Sequence, residues 1–280
     1  MFERNPEIPT RTQALKNLLC AFYNQKYELD ADACRYADDL VEMAVLGRLN
    51  GALPAVSRSL STVLHLDSTA KSRIEFRGCP GLLLVAATEL RLPKLFKDAL
   101  IFTLGPWEEP EFVLLRKKSE EFPELYPQLL DGKVIKITED AYSKLCAKIL
   151  SVNKALLADL AAMDQEIKVQ FKDSRTECCV SDICKAIDGD DKLCPPSFYR
   201  RLYVAKSKGN VERALRKHIK PLMENSLTLT PRTGVGEVSQ NYFLCVTIAD
   251  KELPWDMKEA ESWIANVSKS SNSVAAPILT

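Results

Sequence analysis

Apolar side chains recur at intervals of three and four residues along most of the chain, a spacing that is typical of amphipathic helices. The first run follows Thr10 and Gln13, which form a capping-box pattern, and predicts a helix that ends near Asn24. The residues predicted for its buried face are Leu15, Leu18, Leu19 and Phe22. The pattern therefore indicates a helical protein from its first element.

Four more helices are predicted before residue 105. Asp30 and Asp32 suit the start of the second, and Pro54, Pro80 and Pro93 suit the first turns of the next three. The predicted buried residues are Ala33, Ala37, Leu40, Val41 and Ala44 in the second helix, Val56, Leu60, Val63 and Leu64 in the third, Leu83, Leu84, Ala87 and Leu90 in the fourth, and Leu95, Phe96, Leu100, Ile101 and Leu104 in the fifth. A polar stretch at 66–78 separates the third helix from the fourth and indicates a boundary.

The most periodic segment begins at Thr138 and predicts one helix of roughly 34 residues, about 50 Å long. Its apolar stripe consists of Tyr142, Leu145, Ile149, Val152, Leu156, Leu160, Met163, Ile167 and Phe171. Val134, Ile135 and Ile137 just before it are interpreted as a minor strand or an extended lead-in. The stripe could be a coiled-coil seam, but packing within its own domain is favoured because only a dimer could use its whole length as a seam.

After Asp173 the composition shifts to a Cys-rich, acidic stretch. Short helices are predicted at 197–207 and 210–223, and the best strand candidate is 241–248, which is rich in β-branched and aromatic residues. A last helix is predicted around 256–267. The fold class expected from these elements is mainly α: a helical bundle-like array with one long helix and a small α+β C-terminal module.

Composition and charge narrow the function classes. The chain has 38 Lys and Arg and 38 Asp and Glu among 280 residues, which excludes a globally basic nucleic-acid binder. Its longest purely apolar run, 82–87, is far shorter than the roughly 20 residues that span a bilayer. Residues 1–10 contain acids and prolines where a signal peptide has its apolar core. We therefore expect no membrane association and a cytoplasmic or nuclear protein.

The strongest local charge feature is the basic segment 197–220. Its cations are Arg200, Arg201, Lys206, Lys208, Arg213, Arg216, Lys217 and Lys220, with Glu212 as the one acid. Phe198, Tyr199 and Tyr203 lie among them, so the segment could bind a phosphate backbone and stack on bases. The favoured alternative is that the aromatic residues are buried and the cations pair with the acidic stretch 177–191. Nucleic acid is thus an unlikely partner.

Few residues in the sequence suit catalysis or metal binding. Cys178, Cys179, Cys184 and Cys194 form a cluster that lacks the paired C-x2-C spacing of zinc sites, so buried, inert thiols are favoured over a metal site. The only histidines, His65 and His218, lie beside no recognisable nucleophile signature. We therefore predict no catalytic, cofactor-binding or metal-binding residue, and hence no enzyme.

Two stretches resemble the BTB/POZ family. Residues 18–27, LLCAFYNQKY, resemble its F-x-x-L-L-x-x-x-Y-T-G-x-Y pattern. Residues 39–49, DLVEMAVLGRL, and then 53–60 are similar to the helix and the A-x-x-Y-x-x-x-x-L pattern that follow it. The chain looks most like the BTB-domain proteins of filamentous fungi, and 78–157 is similar to their BACK-like helical extension.

The resemblance implies a domain organisation and a function. Residues 1–66 would be the C-terminal part of a BTB-like domain, because the strand and D-x-x-F-x-x-H-x-x-x-L half of that domain has no counterpart here. Residues 67–175 would be the BACK-like region, 176–267 the α+β module and 268–280 a disordered tail. The implied function is a non-catalytic, adaptor-like protein that binds a cullin scaffold or a second copy of itself. Phosphate or nucleic-acid binding through 197–220 is the alternative.

Overall fold

The structure is a computed structural model that describes residues 8–23, 25–27, 29, 33–67, 79–105, 110, 112–113, 132–170, 195–204, 216–229 and 242–271. It confirms a mainly helical protein with one long helix. The helices are α1 (Ile8–Phe22), α2 (Ala33–Leu49), α3 (Leu53–Asp67), α4 (Pro80–Glu89), α5 (Pro93–Thr103), α6 (Lys133–Gln170), α7 (Pro195–Val204) and α8 (Met257–Ser271). Single 3-10 turns occur at Lys220–Leu222 and Asp250–Glu252. No helix in these ranges is long and apolar enough to cross a membrane.

Helices α4 and α5 follow each other in sequence and pack against each other. Pro80 and Pro93 each stand at the start of their helix, where the missing proline N–H costs no hydrogen bond. The residues predicted to be buried on both helices are buried, and most of them are fully inaccessible to solvent. Helix α2 packs against α4, α1 packs against α2 and α3, and α8 packs against α3. Residues of all these helices contribute to one hydrophobic core.

The turn between α4 and α5 is tied to α8. Arg91 adopts a φ of 49°, in the left-handed region that non-glycine residues rarely occupy. Its guanidinium lies 4.9 Å from the centre of the Trp263 ring of α8, which is a cation–π geometry. Helix α8 is also held by Arg58 of α3, which donates a hydrogen bond to the carbonyl of Ile264.

The long helix begins earlier than predicted, so the predicted minor strand at Val134–Ile137 is wrong. Helix α6 starts at Lys133 and has 38 residues, a length of about 57 Å. Val134, Thr138 and Ala141 are buried and precede Leu145 at intervals of three and four residues. They therefore lie on the same face of the helix as Leu145, which explains why the helix includes them. The buried residues between Val134 and Leu156 pack in the protein's own core, as favoured over a coiled-coil seam for this part of the stripe. The side chains of Leu160, Met163 and Ile167, and the whole of Phe171, lie outside the described part of the structure.

The structure also corrects the predicted strand at 241–248, and with it the predicted small α+β module. Residues 242–249 are extended, yet no described residue pairs with them in a sheet. Their carbonyls instead accept hydrogen bonds from outside: Tyr242 from Arg200, Leu244 from the amide of Ser226, and Cys245 from Lys148. We call residues 242–249 the extended segment.

Burial explains the composition of the extended segment. Five of its side chains are buried: Phe243, Leu244, Cys245, Val246 and Ile248. Consecutive side chains of an extended chain point to opposite sides, so the core covers this segment on both sides. Such a segment needs the same β-branched and aromatic residues as a strand but no partner strand. The last helix extends to Ser271, so the predicted disordered tail begins at least four residues too early. The predicted domain boundaries near 67 and 176 adjoin residues outside those described.

Candidate interaction surface

Helix α1 exposes a row of apolar side chains. Leu15, Leu19, Phe22 and Tyr23 are between 40% and 74% exposed. Their spacing places them on one side of the helix, with Tyr23 directly after its last residue. We call these four residues the α1 stripe. Single exposed apolar residues are common on protein surfaces, whereas a contiguous row is typical of an interaction site.

A second face of α1, adjoining the α1 stripe, anchors the helix. Ala14, Leu18 and Ala21 are buried, and so is Asn17, whose amide oxygen accepts a hydrogen bond of 3.0 Å from Gln13. Of the four residues predicted to face inward, only Leu18 does so. The small side chains of the two alanines allow close approach to α2 and α3, and this leaves the larger apolar residues outside. The sequence signal that identifies the buried face is the seven-residue spacing of Ala14 and Ala21.

The sequence around the α1 stripe carries lysines and no acids. Lys16 is exposed next to Leu15, and Lys26 is exposed shortly after Tyr23. The sequence has no Asp or Glu between Ile8 and Tyr27. An apolar row with lysines at its edge is complementary to an apolar surface edged by carboxylates.

The described side chains among the eight predicted basic residues do not form a single patch. Arg200 is partly buried, and its guanidinium donates to the carbonyl of Tyr242, so it holds the extended segment. Arg216 is partly buried, while Lys217 and Lys220 are exposed. The side chain of Arg201, and the whole of Lys206, Lys208 and Arg213, lie outside the described part of the structure.

The aromatic residues of the basic segment are turned inward, as the favoured alternative predicted. Tyr199 is buried and donates a hydrogen bond to Asn153 of α6, and its ring lies 6.0 Å from that of Phe243. Phe198 and Tyr203 pack partly buried against the same core. These rings fasten α7 to α6 and to the extended segment, so they are not presented for stacking on bases. The acidic stretch 177–191 lies outside the described residues.

The candidate thiol and metal chemistry concerns the cysteines and His218. The cluster Cys178, Cys179, Cys184 and Cys194 falls outside the described residues, so it remains a prediction. Within the described ranges, no three His, Cys, Asp or Glu side chains are grouped closely enough to hold a metal ion. Cys245 lies in the core of the extended segment, and burial raises the pKa of its thiol, which disfavours the thiolate. His218 lies 2.7 Å from Asp159 of α6 and so joins two elements.

Among the residues that the structure describes, the most deeply buried acid is one that sequence reasoning missed. Asp98 of α5 accepts hydrogen bonds from the amide of Thr228 at 2.7 Å, its hydroxyl at 2.9 Å, and the amide of Leu229 at 2.8 Å. Burial raises the pKa of Asp98, and these hydrogen bonds partly offset the rise. Nothing in the sequence marks Asp98, because its partners are backbone amides 130 residues away.

Comparisons of this chain with models of protein families, with curated proteins and with solved structures find no match.

Proposed function

We propose that this protein is a non-catalytic, adaptor-like interaction protein that binds a partner protein through the α1 stripe. The observation that carries the proposal is the pair of apolar faces on α1. One face packs in the core and anchors the helix, and the other exposes four apolar side chains to solvent. A rigid helix that presents large apolar residues is a common docking element, because little entropy is lost when it binds.

The resemblance to BTB/POZ proteins of filamentous fungi supports an interaction role, and the location of the contact is inferred from the exposure of the α1 stripe. The stretch that resembles the family pattern, 18–27, includes Leu19, Phe22 and Tyr23 of the α1 stripe. The resemblance implies two occupants, a cullin scaffold or a second copy of the chain. The lysines beside the stripe favour a scaffold with acidic residues around its contact over a second copy, which would bring like charges together.

The roles of the described polar groups support a non-catalytic protein. Asp98 binds backbone amides, Glu252 pairs with Lys144 and caps the amide of Ala249, and Arg200 holds a carbonyl. Each of these groups stabilises a contact between elements. Phosphate binding through 197–220 is the second candidate, and the inward-facing aromatic rings make it the weaker one.

The test introduces negative charge into the α1 stripe. The double variant Leu19→Glu/Phe22→Glu removes the apolar centre of the stripe, and Leu157→Glu is the matched control because Leu157 is 67% exposed on α6. Binding to a purified cullin N-terminal region is measured by biolayer interferometry, and self-association by size-exclusion chromatography with light scattering. We expect the α1 double variant to weaken the interaction more than about tenfold and the control to leave it unchanged.

Two results would contradict the proposal. One is a wild-type protein that stays monomeric at high concentration and binds no cullin. The other is an interaction that the α1 double variant and the control variant weaken equally, which would place the contact elsewhere.

A further inference from the structure

A cleft lies where the start of α5 meets residues 228–229 and the beginning of α8. Its volume is about 340 Å³, within the range of small-molecule sites. Apolar side chains form most of its walls, among them Leu92, Pro93, Leu229 and Met257. No residue of α1 lines it, so it is separate from the α1 stripe.

The wall formed by 228–229 is held in place from behind. Asp98 accepts three hydrogen bonds from Thr228 and Leu229, all between 2.7 and 2.9 Å. Hydrogen bonds to a buried carboxylate are among the stronger ones in proteins. The cleft is therefore preformed, and a ligand does not need to order this wall on binding.

The described residues that line the cleft include two lysines and one acid. Lys94 and Lys97 line it, and the acid among its lining residues is Asp250. The Lys97 amine lies 2.6 Å from an Asp250 carboxylate oxygen. Asp250 is 68% exposed, whereas Lys97 is largely buried. An ion pair with one partner in solvent is weakly held, so another carboxylate can take the place of Asp250.

The donors favour a carboxylate over a phosphate. The helix that opens at the cleft has Pro93 in its first turn, which removes one of the N–H groups that a helix start offers to phosphate. The described residues that line the cleft include no arginine that could form a bidentate fork. Lys94 and Lys97 together with the apolar walls suit a compact anion that carries an apolar tail.

We propose that the cleft binds a monocarboxylate with an acyl tail of roughly eight carbons. The tail lies against Leu92, Leu229 and Met257, and the carboxylate binds Lys97 in place of Asp250. The volume equals that of roughly ten water molecules, which accommodates such a tail with its head group at the opening.

The experiment titrates the full chain with octanoate and, as the matched probe without a charge, with 1-octanol, by isothermal titration calorimetry. We expect octanoate to bind about tenfold more tightly than octanol. Lys97→Met lowers the octanoate affinity about tenfold and leaves octanol unchanged. Asp250→Asn raises the octanoate affinity roughly two- to fivefold, because it removes the competing carboxylate. Lys217→Met, at an exposed lysine outside the cleft, changes nothing.

The opposite signs expected at Lys97 and Asp250 make the proposal specific. Equal binding of octanoate and octanol, insensitive to both substitutions, would leave only an apolar cavity and overturn it. Absence of binding by either probe to a folded wild-type chain would overturn it as well. Asp250→Asn keeps the test informative if Lys97→Met destabilises the fold, because Asp250 is exposed.

Discussion

Gly105 follows the end of α5 at the point where the extended segment crosses it. A β-carbon built at Gly105 would lie 2.8 Å from Cε1 and 3.0 Å from Cγ of the Tyr242 ring, and closer still to Cδ1. The ring cannot easily give way, because it packs edge-on against Phe102 with ring centres 5.5 Å apart. The carbonyl of Tyr242 is also held by Arg200. Gly105→Ala therefore forces the start of the extended segment away from α5.

The cost follows from two opposing effects. Overpacking a filled site typically costs about 1–3 kcal/mol. Replacing glycine with alanine gains about 0.4–1 kcal/mol through the unfolded chain when the backbone suits alanine. Gly105 is outside the left-handed region, in contrast to Gly51 and Gly132, so its backbone adds no strain. We expect a net loss of about 1–2 kcal/mol in the free energy of unfolding, measured by urea titration with circular dichroism.

A double-mutant cycle with Tyr242→Ala isolates the clash. Tyr242→Ala alone destabilises the protein because the contact with Phe102 is lost. In that background the added methyl group of Gly105→Ala meets no ring, so the second substitution should be neutral or slightly stabilising. If Gly105→Ala costs the same with and without the Tyr242 ring, close approach is not the reason for glycine at this position, and the reasoning is refuted.

Two further predictions concern buried and paired acids. Asp98→Asn places an amide N–H₂ against the N–H donors of 228–229 and should lower the free energy of unfolding by about 2–3 kcal/mol in urea titrations. The control is Asp250→Asn at an exposed position, which should change it by less than about 0.5 kcal/mol. Equal effects would contradict the role of burial. The hydrogen bond from Lys144 lowers the pKa of Glu252 from 4.5, so its contribution to stability is complete above pH 4.5 and is lost as the pH falls through the folded-state pKa. Wild type should therefore be more stable than Glu252→Gln in urea titrations at pH 6, with a difference that shrinks towards pH 3, and a difference that grows on acidification would contradict this sign.

The helices α2 to α5 were predictable because their local signals agree with their packing. Prolines stand in the first turns of α3, α4 and α5, and the described residues of each predicted apolar stripe are buried or partly buried. In α1 the two levels disagree. The larger apolar residues form the more conspicuous stripe, yet the small residues Ala14 and Ala21 face the core. A single stripe is what the sequence rule assumes, so a helix with two apolar faces defeats it.

The extended segment shows a different limit. Its residues have the composition of a strand, and the chain there is extended, as predicted. Whether an extended run joins a sheet depends on its neighbours, and here the partners are a lysine of α6, an arginine of α7 and an amide at 226. Such contacts join positions far apart in sequence, where no local pattern encodes them. The same is true of Asp98 and of the cleft beside it.

The two proposed sites are assembled differently from the sequence. The α1 stripe consists of residues close together in sequence, so its composition is visible and only its orientation required the structure. The cleft assembles Ser61, Lys97, Leu229 and Asp250 from separate parts of the chain. Helix α3 packs against α1 and α8 and also contributes Ser61 to the cleft, so it connects α1 to the cleft. Substitutions at the α1 stripe and at the cleft rim share no contact, so their effects should add unless α3 shifts when either site is occupied.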